Sequence, residues 1–271
     1  MTPEAQAAPA LYIERDMPEA AEVELAGGRA MVFSTRSPRK ATPNEDAIAV
    51  IPTGEKSGVL VIADGMGGMP GGRQASALAV REVARAVEAG AREGRELRSS
   101  ILDAFERANR KVLEIGNGGT TLAVAEIDAG RMRSYHVGDS VVLVTGQRGR
   151  LKLETIAHSP VGYALESGLL DAEAAMVHED RHLITNAVGS PEMRIDVGPA
   201  LTLARRDTVL LASDGLTDNL YASEIVEIVR KGRLERAAEV LRDGCVERMN
   251  GDTPEHPSKP DDLSFIVFRA G

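Results

Sequence analysis

The feature that most constrains the fold of this chain is an apolar run that ends in a carboxylate and a glycine. Residues 59–63 are all apolar, and Asp64 and Gly65 follow them directly. A short apolar run bounded by a turn signal predicts a buried strand. The same pattern recurs at residues 209–212, which are followed by a serine and then Asp214. Two such strands would bring two carboxylates to the same rim of a sheet core.

Carboxylates placed together in this way repel each other unless a cation lies between them. Carboxylate oxygens are hard ligands, and Mg²⁺ and Mn²⁺ are the ions that such ligands suit. The strand-end residues Asp64 and Asp214 therefore predict a centre for a divalent metal ion.

Composition excludes several classes of function. The net charge is −9 and the sequence pI is about 5.2, so the chain has no basic excess with which to neutralise nucleic-acid phosphates. Cys245 is the only cysteine, which rules out an internal disulfide and fits a reducing compartment. No apolar run has the length of a membrane span, so we expect no membrane partner. Together with the single cysteine and the lack of a secretory signal pattern, this predicts a cytoplasmic protein. We expect it to be a monomer.

The order of predicted elements indicates an α+β fold. Residues 1–10 read as a disordered leader, and residues 11–271 as a single domain. Helical spacing of apolar residues predicts the following four helices: 74–93, 97–115, 222–231 and 234–249. About ten short strands surround them in the sequence, many of them joined by tight turns as in antiparallel meanders. Two helices for each sheet face predict antiparallel sheets enclosed between helical layers.

A series of short motifs then resembles the metal-dependent, type 2C (PPM) family of serine/threonine protein phosphatases, in its bacterial form. Each motif alone is weak evidence, but seven in this order at compatible spacing are specific. The motifs are Asn44-Glu45-Asp46-Ala47, Asp64-Gly65-Met66-Gly67-Gly68, Gly119-Thr120-Thr121-Leu122, Val137-Gly138-Asp139-Ser140, residues 183–189, residues 213–218 and Pro260-Asp261-Asp262-Leu263-Ser264.

The resemblance implies a four-layer αββα sandwich that hydrolyses phosphoserine and phosphothreonine in proteins. It implies two divalent ions, Mn²⁺ or Mg²⁺, and a third in bacterial members, with a mobile flap at about residues 159–174. It implies that phosphorylated proteins, the targets of a serine/threonine kinase, are the substrates. Carried over by position, the metal site comprises Asp46, Asp64, the Gly65 carbonyl, Asp214 and Asp262, with Asp139 at the third metal and Glu45 as a further ligand or water-binder. Of these, Asp64, Asp46 and Asp214 are the expected catalytic residues.

One departure from the family pattern concerns the substrate phosphate. The family usually has an arginine five residues before the position of Asp46, and this chain has Ala41 there. Arg39 or Lys40 would take over that contact if the loop around Pro43 is re-routed. Solvated loop charges are the alternative interpretation of both residues.

Two functions of different classes remain open at this point. The first is an active phosphatase, acting broadly or as a bacterial regulator that dephosphorylates one small partner. The second is a catalytically weak or inactive module that keeps the fold for binding or regulation. The complete set of aspartates favours activity, because buried carboxylates without a cation are costly.

Overall fold

The protein is described here from a computed structural model, which covers residues 7–66, 71–251 and 256–271. Within these ranges the strands form two antiparallel sheets. The first sheet has seven strands in the order β1 (Ala10–Ile13), β4 (Asp46–Gly54), β5 (Ser57–Asp64), β6 (Leu122–Asp128), β7 (Arg131–Val137) and β10 (Asp196–Val197), with β11 (Leu201–Thr202) also paired to β7.

The second sheet has six strands. Its order is β2 (Ala21–Leu25), β3 (Gly28–Thr35), β13 (Leu263–Arg269), β12 (Thr208–Ala212), β8 (Val141–Thr145) and β9 (Leu151–Glu154).

Helices cover the outer face of each sheet. On the first sheet lie α1 (Gly72–Glu93) and α2 (Leu97–Ile115), and on the second lie α6 (Ala222–Val229) and α7 (Leu234–Asn250). Three short helices, α3 (Pro160–Glu166), α4 (Ala172–Met176) and α5 (Asp214–Thr217), and a 3-10 helix (Glu179–His182) complete the described set. No helix in the described parts of the chain combines the length and apolar character needed to cross a membrane.

Strand β5 shows why apolar runs without alternation are found in this fold. Val59, Val61 and Ala63 pack against α1 and α2, whereas Leu60 and Ile62 pack between the two sheets. Both faces of the strand are therefore buried, and an apolar side chain is favoured at every position. The predicted α+β class and the αββα layers are confirmed.

The predicted helices agree closely with those observed, and 97–115 coincides with α2. The segment predicted as a flap, at about residues 159–174, contains the helix α3. Ser159 caps this helix by accepting a hydrogen bond from the Gly162 N–H at 2.9 Å, and proline occupies the first turn. Of the predicted leader, residues 1–6 lie outside the described ranges, and Ala10 pairs with Val50 as the start of β1.

Cys245 gives a simple test of the packing of α7. Its side chain is completely buried, and burial raises the pKa of the thiol to about 12. Because the thiolate is the reactive form, we expect no reaction with Ellman's reagent in the native protein at pH 8. Full reaction of one thiol in 6 M guanidinium chloride is the control. Rapid labelling of the native protein would contradict this placement of α7.

Candidate active site

Two aspartates meet directly at one end of the first sheet. Asp46 is the first residue of β4 and Asp64 the last of β5, and the two are partners in the antiparallel register. Directly opposed residues have Cβ atoms about 5 Å apart, which is close enough for their carboxylates to interact strongly. Hydrogen bonding between these strands therefore fixes a carboxylate pair that lies 18 positions apart in the sequence.

The second sheet contributes a third carboxylate at the same place. Ser213, which follows β12, donates its hydroxyl hydrogen to Asp46 Oδ2 at 2.9 Å. Asp214 comes next and begins α5. Gly215 then passes so close to the chain before β13 that a Cβ there would lie 2.0 Å from the Asp262 carbonyl oxygen. Glycine at this position lets α5 lie against that segment.

A similar close approach places Gly65 beside the start of α1. A Cβ on Gly65 would lie 2.5 Å from the carbonyl carbon and oxygen of Gly72. The Gly65 N–H donates to the Glu45 carbonyl at 3.2 Å, and this carbonyl also accepts from the Ser76 hydroxyl. The turn after Asp64 is thus held against the residue before Asp46. Gly67 and Gly68 of the same motif lie outside the described residues.

The electrostatics of this cluster are unfavourable for charged carboxylates alone. Burial, with the negative charge of Asp262, raises the pKa of Asp46 well above its ordinary value. Burial, together with Asp46 and Asp214, does the same to the pKa of Asp64. Among the described residues, the buried oxygens Asp46 Oδ1 and Asp214 Oδ1 have no hydrogen-bond partner. Unpartnered buried carboxylate oxygens are expensive, so this donor set fits a cation.

The two neighbouring aspartates before β13 have different surroundings. Asp262 Oδ1 accepts the Ser37 N–H at 2.8 Å, and its Oδ2 accepts the Glu45 N–H and the Lys40 amine, each at 2.8 Å. Both oxygens of this predicted ligand therefore accept hydrogen bonds from the protein. Asp261 is 38% exposed, and burial together with Asp214 raises its pKa to about 6.

Two lysines lie among these acidic groups. The sequence motifs did not predict the contacts that either lysine makes with the carboxylates. The Lys259 amine lies 2.5 Å from Asp214 Oδ2, 2.7 Å from Asp218 Oδ2 and 3.5 Å from Asp261 Oδ2. The Lys40 amine contacts Glu45 as well as Asp262. Although burial lowers it, the hydrogen bonds and charges of these partners raise the pKa of each lysine. Each lysine therefore neutralises part of the acidic cluster.

Asp139 and Asp218 lie at the margin of the site, next to the flap. Asp139 follows β7, and burial together with the charges of Asp214 and Asp218 raises its pKa to about 7. Asp218 lies four residues after Asp214, which is about one helical turn. This spacing in the sequence could have identified Asp218 as a member of the site. A cavity of about 430 Å³ between the flap helices, the second sheet and α6 is lined by Asp139, Asp214 and Asp218.

The residues predicted to hold the substrate phosphate are in different environments. Arg39 is exposed on the loop before β4, whereas Lys40 is only 23% exposed and bound to two carboxylates. Glu45 lies beside the cluster with its side chain on Lys40. The structure thus brings together Asp46, Asp64, Gly65, Asp214 and Asp262, with Glu45 and Lys40 at their edge.

A second group of metal-ligand types lies at His136, His158 and Asp196. The two imidazole rings stack with centroids 4.5 Å apart. His158 Nδ1 accepts the Gly138 N–H at 3.0 Å, so Nε2 carries the proton; Nε2 lies 3.2 Å from Asp196 Oδ2 without forming a hydrogen bond to it. A metal ion on Nε2 would require the proton on Nδ1, against a backbone donor. This arrangement identifies His158 as a structural residue at the base of the flap.

Comparison with known proteins agrees with this geometry. The chain matches the family described as Protein phosphatase 2C over residues 35–243. It is 32% identical over 200 residues to the protein phosphatase PhpP of Streptococcus pneumoniae, a match that covers 70% of this chain and 80% of that protein.

Solved structures share the fold. The serine/threonine phosphatase of S. agalactiae superimposes with a TM-score of 0.74 at 25% identity, covering 89% of this chain and 99% of that one. The catalytic domain of the phosphatase PstP, solved with two manganese ions, gives 0.70 at 23% identity, with 89% and 97% covered. The chain therefore belongs to the protein phosphatase 2C family and is a protein phosphatase.

Proposed function

We propose that this chain removes phosphate from phosphoserine and phosphothreonine in proteins, at a centre that holds two divalent cations. The observation that carries the proposal is the set of buried carboxylates whose oxygens Asp46 Oδ1 and Asp214 Oδ1 lack protein partners. The similarity to PhpP, to the streptococcal serine/threonine phosphatase and to the manganese-containing PstP domain supports it.

The residues proposed to hold the two cations are Asp46, Asp64, the Gly65 carbonyl, Asp214 and Asp261. Asp261 enters this set in place of Asp262, because the Asp262 carboxylate accepts three protein hydrogen bonds, whereas Asp261 accepts one from the Asp262 N–H. A bound pair of divalent cations lowers the pKa of water to near neutrality and offsets the negative charge of a phosphoryl group. Asp262 instead holds the Ser37 and Glu45 backbone in place beside the cations.

Arg39 is our candidate for binding the substrate phosphate. It is exposed to solvent on the same loop as Lys40, whose side chain is only 23% exposed. A guanidinium group presents two parallel donors to phosphate oxygens, which suits binding of a phosphomonoester. Glu45, with Lys40 on its side chain and Gly65 on its carbonyl, anchors the loop.

Metal removal tests the proposal. We expect turnover of p-nitrophenyl phosphate and of a phosphothreonine peptide with Mn²⁺ or Mg²⁺, because the carboxylate cluster requires a cation to bind an anionic substrate. Excess EDTA should abolish turnover, and added Mn²⁺ should restore it. Circular dichroism in EDTA serves as the control for folding. Turnover that resists EDTA, or a folded protein inactive with both metals, would reject the proposal and favour a binding module.

A further inference from the structure

The position of Lys259 carries an inference about how many cations the site binds. Its amine lies between Asp214 and Asp218, at 2.5 and 2.7 Å, with Asp261 at 3.5 Å. Asp139 is a fourth carboxylate in this part of the site. Three of these carboxylates, Asp139, Asp214 and Asp218, line the same cavity, and are the ligand types expected for a third divalent ion.

The backbone of Lys259 is fixed independently of its amine. The fully buried side chain of Asn219 accepts the Lys259 N–H at 3.0 Å and donates to the Lys259 carbonyl at 2.9 Å. The same amide group donates to the Gly215 carbonyl at 2.9 Å. Asn219 thus ties Lys259 to the segment that carries Asp214 and Asp218. The lysine is held at this place by a built contact, and its side chain is only 20% exposed.

The two oxygens of Asp214 have different partners. Oδ2 accepts the Lys259 amine, whereas Oδ1 is buried without a protein partner. One oxygen is therefore available to a cation of the proposed pair, and the other is already neutralised. A divalent ion shared by Asp214, Asp218 and Asp139 would lie within a few ångströms of the ammonium group, where like charges repel strongly in a partly buried site.

We propose that Lys259 supplies the third positive charge of this site, so that the protein binds two divalent cations, and Asp214 and Asp218 bind the Lys259 amine instead of sharing a third ion with Asp139. The inference rests on the proposed two-cation function. Lys259 acts here as a positioning residue, which sets the charge and the orientation of Asp214 and Asp218.

The test is a count of bound Mn²⁺ by equilibrium dialysis and elemental analysis of the full chain. We expect two ions per chain for the wild type, and a third for Lys259→Met bound at least about tenfold more tightly than any third ion in the wild type. Methionine keeps the length of the side chain and removes its charge. Lys231→Met, at an exposed lysine, is the matched control and should bind two.

A substitution at Asp139 tests where the additional ion binds. Asp139→Asn should remove the third Mn²⁺ from the Lys259→Met protein and leave the count of two unchanged in the wild-type background. Lys259→Gln provides a second neutral variant if the methionine variant does not fold. A count of two in both folded neutral variants, or three in the wild type, would overturn the inference while leaving the two-cation function intact. A wild type that binds no Mn²⁺ would overturn both.

Discussion

Asp64→Asn is expected to lose at least about a thousandfold in kcat with Mn²⁺, equivalent to about 4 kcal/mol of transition-state stabilisation. Asp64 lies opposite Asp46 in the pairing of β4 with β5. Burial and the charges of Asp46 and Asp214 raise the pKa of Asp64. The amide of asparagine has nearly the same shape but no charge, so it binds a divalent cation poorly. Initial rates with p-nitrophenyl phosphate and a phosphothreonine peptide measure the loss.

The same substitution should not reduce the stability of the metal-free protein. Burial and neighbouring carboxylates raise the pKa of Asp64 in the folded state, so its charged form opposes folding. This destabilisation is present above the unfolded-state pKa, near 4, and asparagine removes it. We therefore expect the Tm of Asp64→Asn in EDTA at pH 7.5 to equal or exceed that of the wild type. Mn²⁺ should raise the Tm of the variant less than that of the wild type.

Asp103→Asn, at an exposed aspartate on α2, is the matched control and should leave both activity and Tm unchanged. An Asp64→Asn protein that keeps more than a tenth of the wild-type activity would contradict the assignment of Asp64. A variant that is inactive because it is unfolded in EDTA would contradict the electrostatic explanation.

The second large expected effect distinguishes Asp261 from its neighbour Asp262 as a ligand of the proposed cations. We expect Asp261→Asn to lower the affinity for Mn²⁺ and kcat/KM by about a hundredfold, because it removes a proposed ligand charge. Its carboxylate lies close to Asp214 and Lys259, and its pKa is raised to about 6 by burial and by Asp214. Isothermal titration with Mn²⁺ and steady-state kinetics at saturating Mn²⁺ measure the two quantities.

Asp262→Asn is the matched comparison, and we expect it to lower the stability of the fold rather than the affinity for Mn²⁺. An amide keeps one oxygen to accept a hydrogen bond, but loses one of the contacts to Ser37, Glu45 and Lys40. We expect a loss of about 1–3 kcal/mol in the free energy of unfolding, from urea titration. Activity of the folded protein at saturating Mn²⁺ should stay within about tenfold of the wild type. If Asp262→Asn loses Mn²⁺ affinity and Asp261→Asn does not, Asp262 is the ligand.

Short-range patterns in the sequence predict much of this structure. The helical spacing of apolar residues gave α2 its bounds, and the run 59–63 identified a strand buried on both faces. The aspartates at strand ends identified the candidate site, because a turn after a buried strand places its first polar residue at the rim. The signal for α3 was also present, since Ser159 and the proline after it are typical of a helix start.

Only the tertiary structure decided which of these groups meet. The register of β4 on β5 pairs Asp46 with Asp64, and the Gly215 contact brings Asp214 to the chain before β13. The choice between Asp261 and Asp262 depends on backbone donors more than 200 positions away, at Ser37 and Glu45. Lys259 reaches Asp214 across 45 positions because Asn219 holds its backbone. Local propensity acts over a few residues, so the sequence by itself determined the elements and the acidic residues. Long-range packing determined which carboxylate oxygens lack a protein partner and which are bound by lysine.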